Sequence, residues 1–295
     1  MDWNDVKLAL GAAQFGLDYG ITNNTGTVSN EQIKLVLNLA KKKNVQTIDT
    51  AASYGVSETR LGNFDLSAFE IVTKISDIGN DSSRVENRVD TAIIGSMERL
   101  KVNQLDAVLI HNVDLLFGPT SDKIVRGLLK AKDKGLCKKI GVSIYNPDHI
   151  KPLSEKFPID LIQAPLSIFD QRMIHSGGLK YCKDNNISVH VRSIFLQGLL
   201  ICSPKERPRY FDKWAKIWTL WDIWLEKNNF SQVQGAISFI NTHLPLGIER
   251  VVVGFQNIKQ FKEVLRYKNT LANDFPDELM DIDESLRDPT KWKVN

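Results

Sequence analysis

The sequence predicts an α/β protein folded as a closed (β/α)8 TIM barrel, and three observations point there. Eight short apolar runs alternate with amphipathic segments along the 295 residues. The runs are mostly continuous, as parallel strands buried on both faces require. Several end on one polar or ionisable residue, and barrels gather such residues at the C-terminal ends of their strands. A doubly wound open sheet is the alternative that the same alternation allows.

The first strand reads Leu8–Ala13. A helix over Ser29–Lys43 follows, with Ser29 and Gln32 at capping-box spacing and Ile33, Val36, Leu37 and Ala40 on one face. The second strand, Val45–Thr50, leads to a short helix around Ser57–Leu61. Strand Glu70–Ile75 precedes helix Val85–Leu100, and Asp106–His111 precedes Ser121–Lys134. Lys139–Ile144 precedes Asp148–Lys156, and Leu161–Leu166 precedes Gly178–Asn185. After Ser188–Ile194 comes the longest connection, about residues 197–229, before helix Ser231–Thr242. The eighth strand, Arg250–Phe255, feeds helix Lys259–Tyr267.

Within the long connection, Pro204 and Pro208 precede Phe211–Lys227, where Trp214, Trp218, Trp221 and Trp224 recur every three or four residues. Either this helix packs its aromatic face onto the barrel, or one or two tryptophans roof a pocket, as loops at this face often do. Residues 273–295 have no strong period and read as a C-terminal extension, a strap or a short helix. No linker or internal repeat divides the chain, so residues 1–295 read as one domain, close to the ~250 residues of such a barrel plus extensions.

Composition narrows the function classes. A net charge of +3, with Lys41-Lys42-Lys43 and Lys138-Lys139 as the tight basic runs, argues against a nucleic-acid surface. Cys137, Cys182 and Cys202 are few and widely spaced, which disfavours a disulfide framework or a metal site. Met1-Asp2-Trp3-Asn4-Asp5 lacks the apolar core of a leader peptide. No apolar run approaches the ~20 residues of a membrane span. The expectation is a cytoplasmic protein without an obligate protein partner.

Three successive strands carry the chemistry. Val45–Ile48 ends on Asp49, Ile71-Val72-Thr73 ends on Lys74, and Leu105–Ile110 ends on His111. Burying a charge costs several kcal/mol unless it is paired, so three such termini suggest one shared pocket. Tyr54 follows Asp49 closely enough to join them. A tyrosine hydroxyl, with an ordinary pKa of about 10, is a reluctant proton donor at neutral pH. A neighbouring ammonium stabilises the phenolate, and a carboxylate holds the ammonium in place. His149, His175, His190 and His243 are scattered and read as structural.

These residues resemble the aldo-keto reductase family along nearly the whole chain. The resemblance takes in Gly11-Ala12-Ala13-Gln14-Phe15-Gly16, the Asp49–Gly62 segment with Ser57-Glu58 and Leu61-Gly62, and Thr73-Lys74. It continues through Leu105–His111, Gly135 to Ser143, and Ile162-Gln163. It implies reduction of an aldehyde or ketone by NADPH or NADH, and Arg192 with the polar Gln197, able to meet hydroxyls or a carboxylate at the pocket mouth, suits a sugar derivative. In that scheme Tyr54 donates the proton, Lys74 and Asp49 support it, and His111 binds the carbonyl oxygen. The chain lacks the G-x-G-x-x-G fingerprint, which suits a family that lays an extended dinucleotide across the barrel mouth. Ser143 and Gln163 would hold the carboxamide. Gly11, Ala12, Arg192, Ser193, Leu196, Gly198, Gly254, Gln256 and Gln260 would line the rest of the cofactor site.

Two departures stand out. Arg192 occupies the place where many members put a tyrosine under the nicotinamide, and a guanidinium stacks but adds charge. Gln256 and Gln260 are neutral where NADPH-preferring members usually place a cation, with Lys259 and Lys262 nearest. NADH or dual use follows, because phosphate recognition normally relies on Arg or Lys. Two alternatives stay open. One is a dinucleotide-binding redox sensor or auxiliary subunit with little turnover. The other is a lyase or isomerase using Lys74 as a Schiff base.

Overall fold

The computed structural model describes residues 7–76, 78, 84–280 and 282–293. Residues 1–5, read above as lacking a leader, lie outside the described residues. Eight parallel strands close into one barrel in sequence order: β1 Lys7–Gly11, β2 Thr47–Asp49, β3 Glu70–Ile75, β4 Leu105–Ile110, β5 Cys137–Ser143, β6 Leu161–Pro165, β7 Ser188–Arg192 and β8 Ile248–Gly254. Closure is direct, with Gly11 on β1 in register with Asp49 on one side and Gly254 on the other. The open-sheet alternative is therefore excluded.

The strands are mostly buried because helices cover their outer faces, with Lys138 on β5 exposed. Ile33, Val36, Leu37 and Ala40 of helix Asn30–Lys42 sit in the core, as the periodicity predicts. Burial of one such side chain is worth about 1.5–3 kcal/mol, which explains why a helix with an otherwise polar surface is held in place. Inside the barrel a second, smaller apolar plug of Val72, Ala107, Leu109 and Leu161 separates the two mouths.

Several local expectations need correction. β1 stops at Gly11, and Ala13–Gly16 coils into one helical turn. The capping box at Ser29 is half made: Ser29 accepts from the Gln32 backbone, but the Gln32 side chain accepts from Ile258 N–H at 3.0 Å. A tertiary donor outcompetes the local one. The complete capping box lies at Ser231 and Gln234, opening helix Gln232–His243.

The tryptophan segment packs and does not roof. Helix Ala215–Lys227 buries Trp218, Trp221 and Trp224, and the last two stack with centroids 5.4 Å apart. Trp224 Nε1 donates to Asp274 O at 3.0 Å, and Phe211 meets Trp292 edge-on at 4.9 Å. The aromatic face therefore straps down the C-terminal extension, which contains helix Glu284–Arg287 between two short 3-10 turns. Among the described residues, no helix is long and apolar enough to cross a membrane.

Candidate active site

Tyr54 sits on a loop that the sequence pins from three sides. Gly16 approaches so closely that a Cβ there would meet Tyr54 O at 1.9 Å. Ser57 donates to Ala12 O at 2.8 Å, tying the following helix, Ser57–Leu61, back to β1. Glu58 is buried beside Ser57, accepting from Thr73 Oγ1 at 2.6 Å and from Arg99 Nε at 2.8 Å. A buried carboxylate is tolerable when paired and hydrogen-bonded in this way. The Ser57-Glu58 and Leu61-Gly62 signatures are thus scaffold for the tyrosine loop.

Lys74 and Asp49 meet at 2.6 Å with side chains 1% and 4% exposed. Lys74 Nζ also donates to Thr50 O at 3.0 Å and stands 5.2 Å from the Tyr54 ring centroid. Burial alone would depress the lysine, but the Asp49 charge and hydrogen bond, with Tyr54 alongside, raise it above its usual range. The ammonium therefore stays charged. The second Asp49 oxygen accepts from Gln163 Nε2 at 2.6 Å. Gln163 is fully buried, and its Oε1 has no hydrogen-bond partner.

His111 lies across from Tyr54, ring centroids 5.8 Å apart and nearly perpendicular. Ser53 Oγ is 3.0 Å from His111 Nδ1. Burial first, then the charges of Lys74 and Arg192, push the imidazole down to about 4, against the pull of Asp49. It is neutral at pH 7.

Asp49, Tyr54 and His111 line one chamber of about 420 Å³, within the size range of small-molecule and cofactor sites. Its wall also includes Gly11, Ala12, Ser143 and Arg192, with Ser193 and Gly198 from the β7 loop and Gly254, Gln256 and Gln260 from the end of β8 and the segment after it. Ser143 is in register with Gln163. Three expected residues do not line the chamber. Lys74 and Gln163 are packed behind Asp49, and Leu196 is buried beneath the β7 loop, facing a small neighbouring cavity. Gln163 therefore spends its amide nitrogen on the acid, a link that sequence reading missed.

The β7 loop adopts an unusual backbone. Ser193, Leu196, Gln197 and Gly198 all have positive φ, of 61°, 48°, 55° and 94°. For a leucine this is uncommon and costs of order 1–3 kcal/mol, and such strain concentrates at ligand clamps. Gln197 O accepts from Ile21 N at 3.1 Å, so the β1 and β7 loops meet over the chamber. Arg192 stacks 4.2 Å over Tyr145 and donates to Ile144 O at 3.2 Å. Tyr19, Ser53 and Tyr145 also wall the chamber. Sequence reading did not single them out. For Ser53 and Tyr145 the position shortly after a strand end was the available signal; Tyr19, eight residues beyond β1, offered none.

Comparison with known proteins agrees with this fold. The sequence model of the Aldo/keto reductase family matches residues 7–285. The chain is 33% identical over 110 residues to the NADH-specific methylglyoxal reductase of Escherichia coli, covering 37% of this chain and 33% of that protein. It is 30% identical over 146 residues to the D-arabinose 1-dehydrogenase of Saccharomyces cerevisiae, covering 46% and 44%. The matches thus span less than half of these relatives. Among solved structures, an aldo-keto reductase from Bacillus halodurans in its holo form superposes with a TM-score of 0.73 at 17% identity, covering 96% and 95%. A glycerol dehydrogenase from Gluconobacter oxydans gives 0.67 at 24%, covering 92% and 88%. At such identities the structural likeness speaks to the fold alone. With the family's pattern matched from the first strand to the C-terminal extension, the chain belongs to the aldo/keto reductase family.

Proposed function

We propose that the chain is a nicotinamide-dependent oxidoreductase that reduces an aldehyde or ketone, with Tyr54 as proton donor. The observation that carries this is the buried Lys74–Asp49 pair set beside Tyr54 and facing His111 in one chamber. Family membership supports a small carbonyl substrate. The names of the two relatives, a methylglyoxal reductase and an arabinose dehydrogenase, point the same way. Polar Gln197 and Arg192 on the wall suit a hydroxylated substrate such as a sugar derivative.

The donor set fits the dinucleotide that the family implies. A carboxamide carries donors and an acceptor. Gln163 Oε1 is a buried acceptor without a partner, and Ser143 is a hydroxyl on the neighbouring strand. Ser143 would hold the carboxamide from the wall, with Gln163 bracing Asp49 from behind, and the β7 loop with Gly254 would hold the rest. When bound, the dinucleotide supplies the hydride.

The remaining work falls to the chain. Two of the Lys74 protons go to Asp49 and Thr50, leaving the third for the Tyr54 side. Its charge stabilises the oxygen of Tyr54 as the proton passes to the forming alcohol. Asp49, held by Gln163, keeps Lys74 in place. In the tautomer that this chemistry needs, Ser53 donates to Nδ1 and the His111 proton sits on Nε2, where it stabilises charge developing on the carbonyl oxygen.

Cofactor preference follows from the part of the chamber walled by the segment after β8. Gln260 Oε1 accepts from Gln256 N–H at 2.8 Å, and no cation lines this part among the described residues. A missing charge-assisted hydrogen bond of about 1.5–3 kcal/mol corresponds to roughly ten- to hundredfold in affinity. NADPH should therefore outbind NADH by no more than about tenfold. The test is a turnover screen with both cofactors over methylglyoxal, aldoses, keto-sugars and simple aldehydes. Failure of every carbonyl to oxidise either cofactor sinks the reading.

A further inference from the structure

The chamber carries one unbalanced charge. Asp49 is the carboxylate on its wall, and it is already paired with Lys74. His111 is neutral. Arg192 is left. Its guanidinium contacts Ser193 Oγ at 3.3 Å, Ile144 O at 3.2 Å and the face of Tyr145, all uncharged. Among the described residues no carboxylate stands within ion-pair distance of it. The small cavity behind Arg192 does not cancel the charge. There Asp170 is claimed by Arg172 through two bonds of 2.7 and 2.6 Å, and Arg287 adds a further cation whose Nε is buried without a partner. The field of Arg192 reaches the reacting groups, since it opposes protonation of both His111 and Lys74.

We propose that Arg192 makes this chamber select the reduced nicotinamide dinucleotide over the oxidised one. The inference rests on the oxidoreductase reading above. The two forms differ in charge at one place: the ring is neutral when reduced and positive when oxidised. Hydride must land on the carbon whose oxygen faces Tyr54 and His111, so the ring shares the chamber with Arg192. Two like charges several ångströms apart in a half-buried site differ from a charge–neutral pair by about tenfold in affinity. The consequence is functional. Oxidised cofactor is then a weak product inhibitor, and reduction continues where the oxidised form is in excess. The same charge tilts the equilibrium among bound species toward reduced cofactor, so release of the oxidised form must drive the turnover.

Equilibrium titration of the native protein with the reduced and oxidised forms of one dinucleotide, by fluorescence, tests this without any turnover. Arg192→Lys and Arg192→Gln are titrated alongside, with Arg192→Met in reserve if the Gln variant does not fold. The expected result is reduced form bound about tenfold more tightly by the native protein and by Arg192→Lys. In Arg192→Gln or Arg192→Met the ratio falls to within about threefold, chiefly because the oxidised form binds more tightly. A native ratio near one overturns the inference. So does a neutral variant that weakens both forms equally, which assigns Arg192 to a phosphate common to them. If neither form binds the native protein, the oxidoreductase reading fails and takes this inference with it.

Discussion

At the C-terminal mouth of the barrel Lys74 meets Asp49 at 2.6 Å with both side chains buried, whereas at the N-terminal mouth Arg250 meets Glu70 at 3.0 Å with 9% and 41% of the side chains exposed. Arg250 is also saturated by Thr47 Oγ1 at 2.9 Å and Glu249 O at 3.0 Å. Nearby Lys139 reaches Ser188 at 3.0 Å and Glu249 at 3.4 Å. These bonds link strands that are not neighbours in the barrel, β8 to β2 and β3 and β5 to β7 and β8, and leave the Arg250 charge spent on structure. Lys74 keeps one donor for the tyrosine side of a chamber. Both ends therefore carry paired charge, and the upper pair, on which the proposed chemistry depends, is the more deeply desolvated of the two.

Four experiments probe that contrast. Tyr54→Phe removes the proton donor without touching either pair. Turnover should fall by about a thousandfold, within the usual 10²–10⁴ for general acids, while the urea midpoint stays in place. Activity within threefold of native would exclude Tyr54 as the acid. Lys74→Met acts on both properties, because Asp49 is left buried and uncompensated. Stability should drop by about 3–5 kcal/mol in urea denaturation, with a large loss of turnover in the fraction that folds. A stability change below about 1 kcal/mol would mean that Asp49 is solvated or protonated at no cost.

Arg250→Met is the matched change at the other mouth. Glu70 is partly exposed, so water can replace the guanidinium, and the loss should be about 1–2 kcal/mol with unchanged turnover. A drop in turnover of more than about fivefold, which exceeds what a distant structural pair explains, would break the separation of the two mouths.

The smallest effect concerns acid. Burial pushes His190, inside the barrel between the two mouths, down to about 4, and His111 is lowered to the same value. A histidine held below its ordinary value of about 6.5 is neutral in the folded state where the unfolded chain binds a proton. The stability it contributes is present above about pH 6.5 and is lost as pH falls toward about 4. The native protein should therefore lose on the order of 1 kcal/mol relative to His190→Asn between pH 7 and 5. Parallel stability–pH curves for the two proteins would refute the assignment.

Much of this molecule is legible along the chain. The eight apolar runs predict strands within a few residues of those observed, because continuous burial leaves a continuous apolar pattern. Asp49, Lys74 and His111 stand out because an ionisable residue at the end of such a run needs a reason. Legibility fails where a group has two competing partners. Gln32 abandons its local cap for Ile258, and Gln163 gives its nitrogen to Asp49. The Trp214–Trp224 pattern specifies an aromatic face but not what covers it, and the answer is a strap about fifty residues further on.

By itself the sequence determined the order of the eight strands and the helices between them, the inward face of helix Asn30–Lys42 and the three strand ends that carry ionisable groups. Those properties depend on period and on neighbours within a few residues. Tertiary structure alone decided that Gln163 braces Asp49 across 114 residues, that Arg192 stands uncompensated beside Tyr145, and that the β1 and β7 loops meet at Gln197. Such contacts depend on strand register and barrel closure, where a shift of one residue turns every side chain to the opposite face.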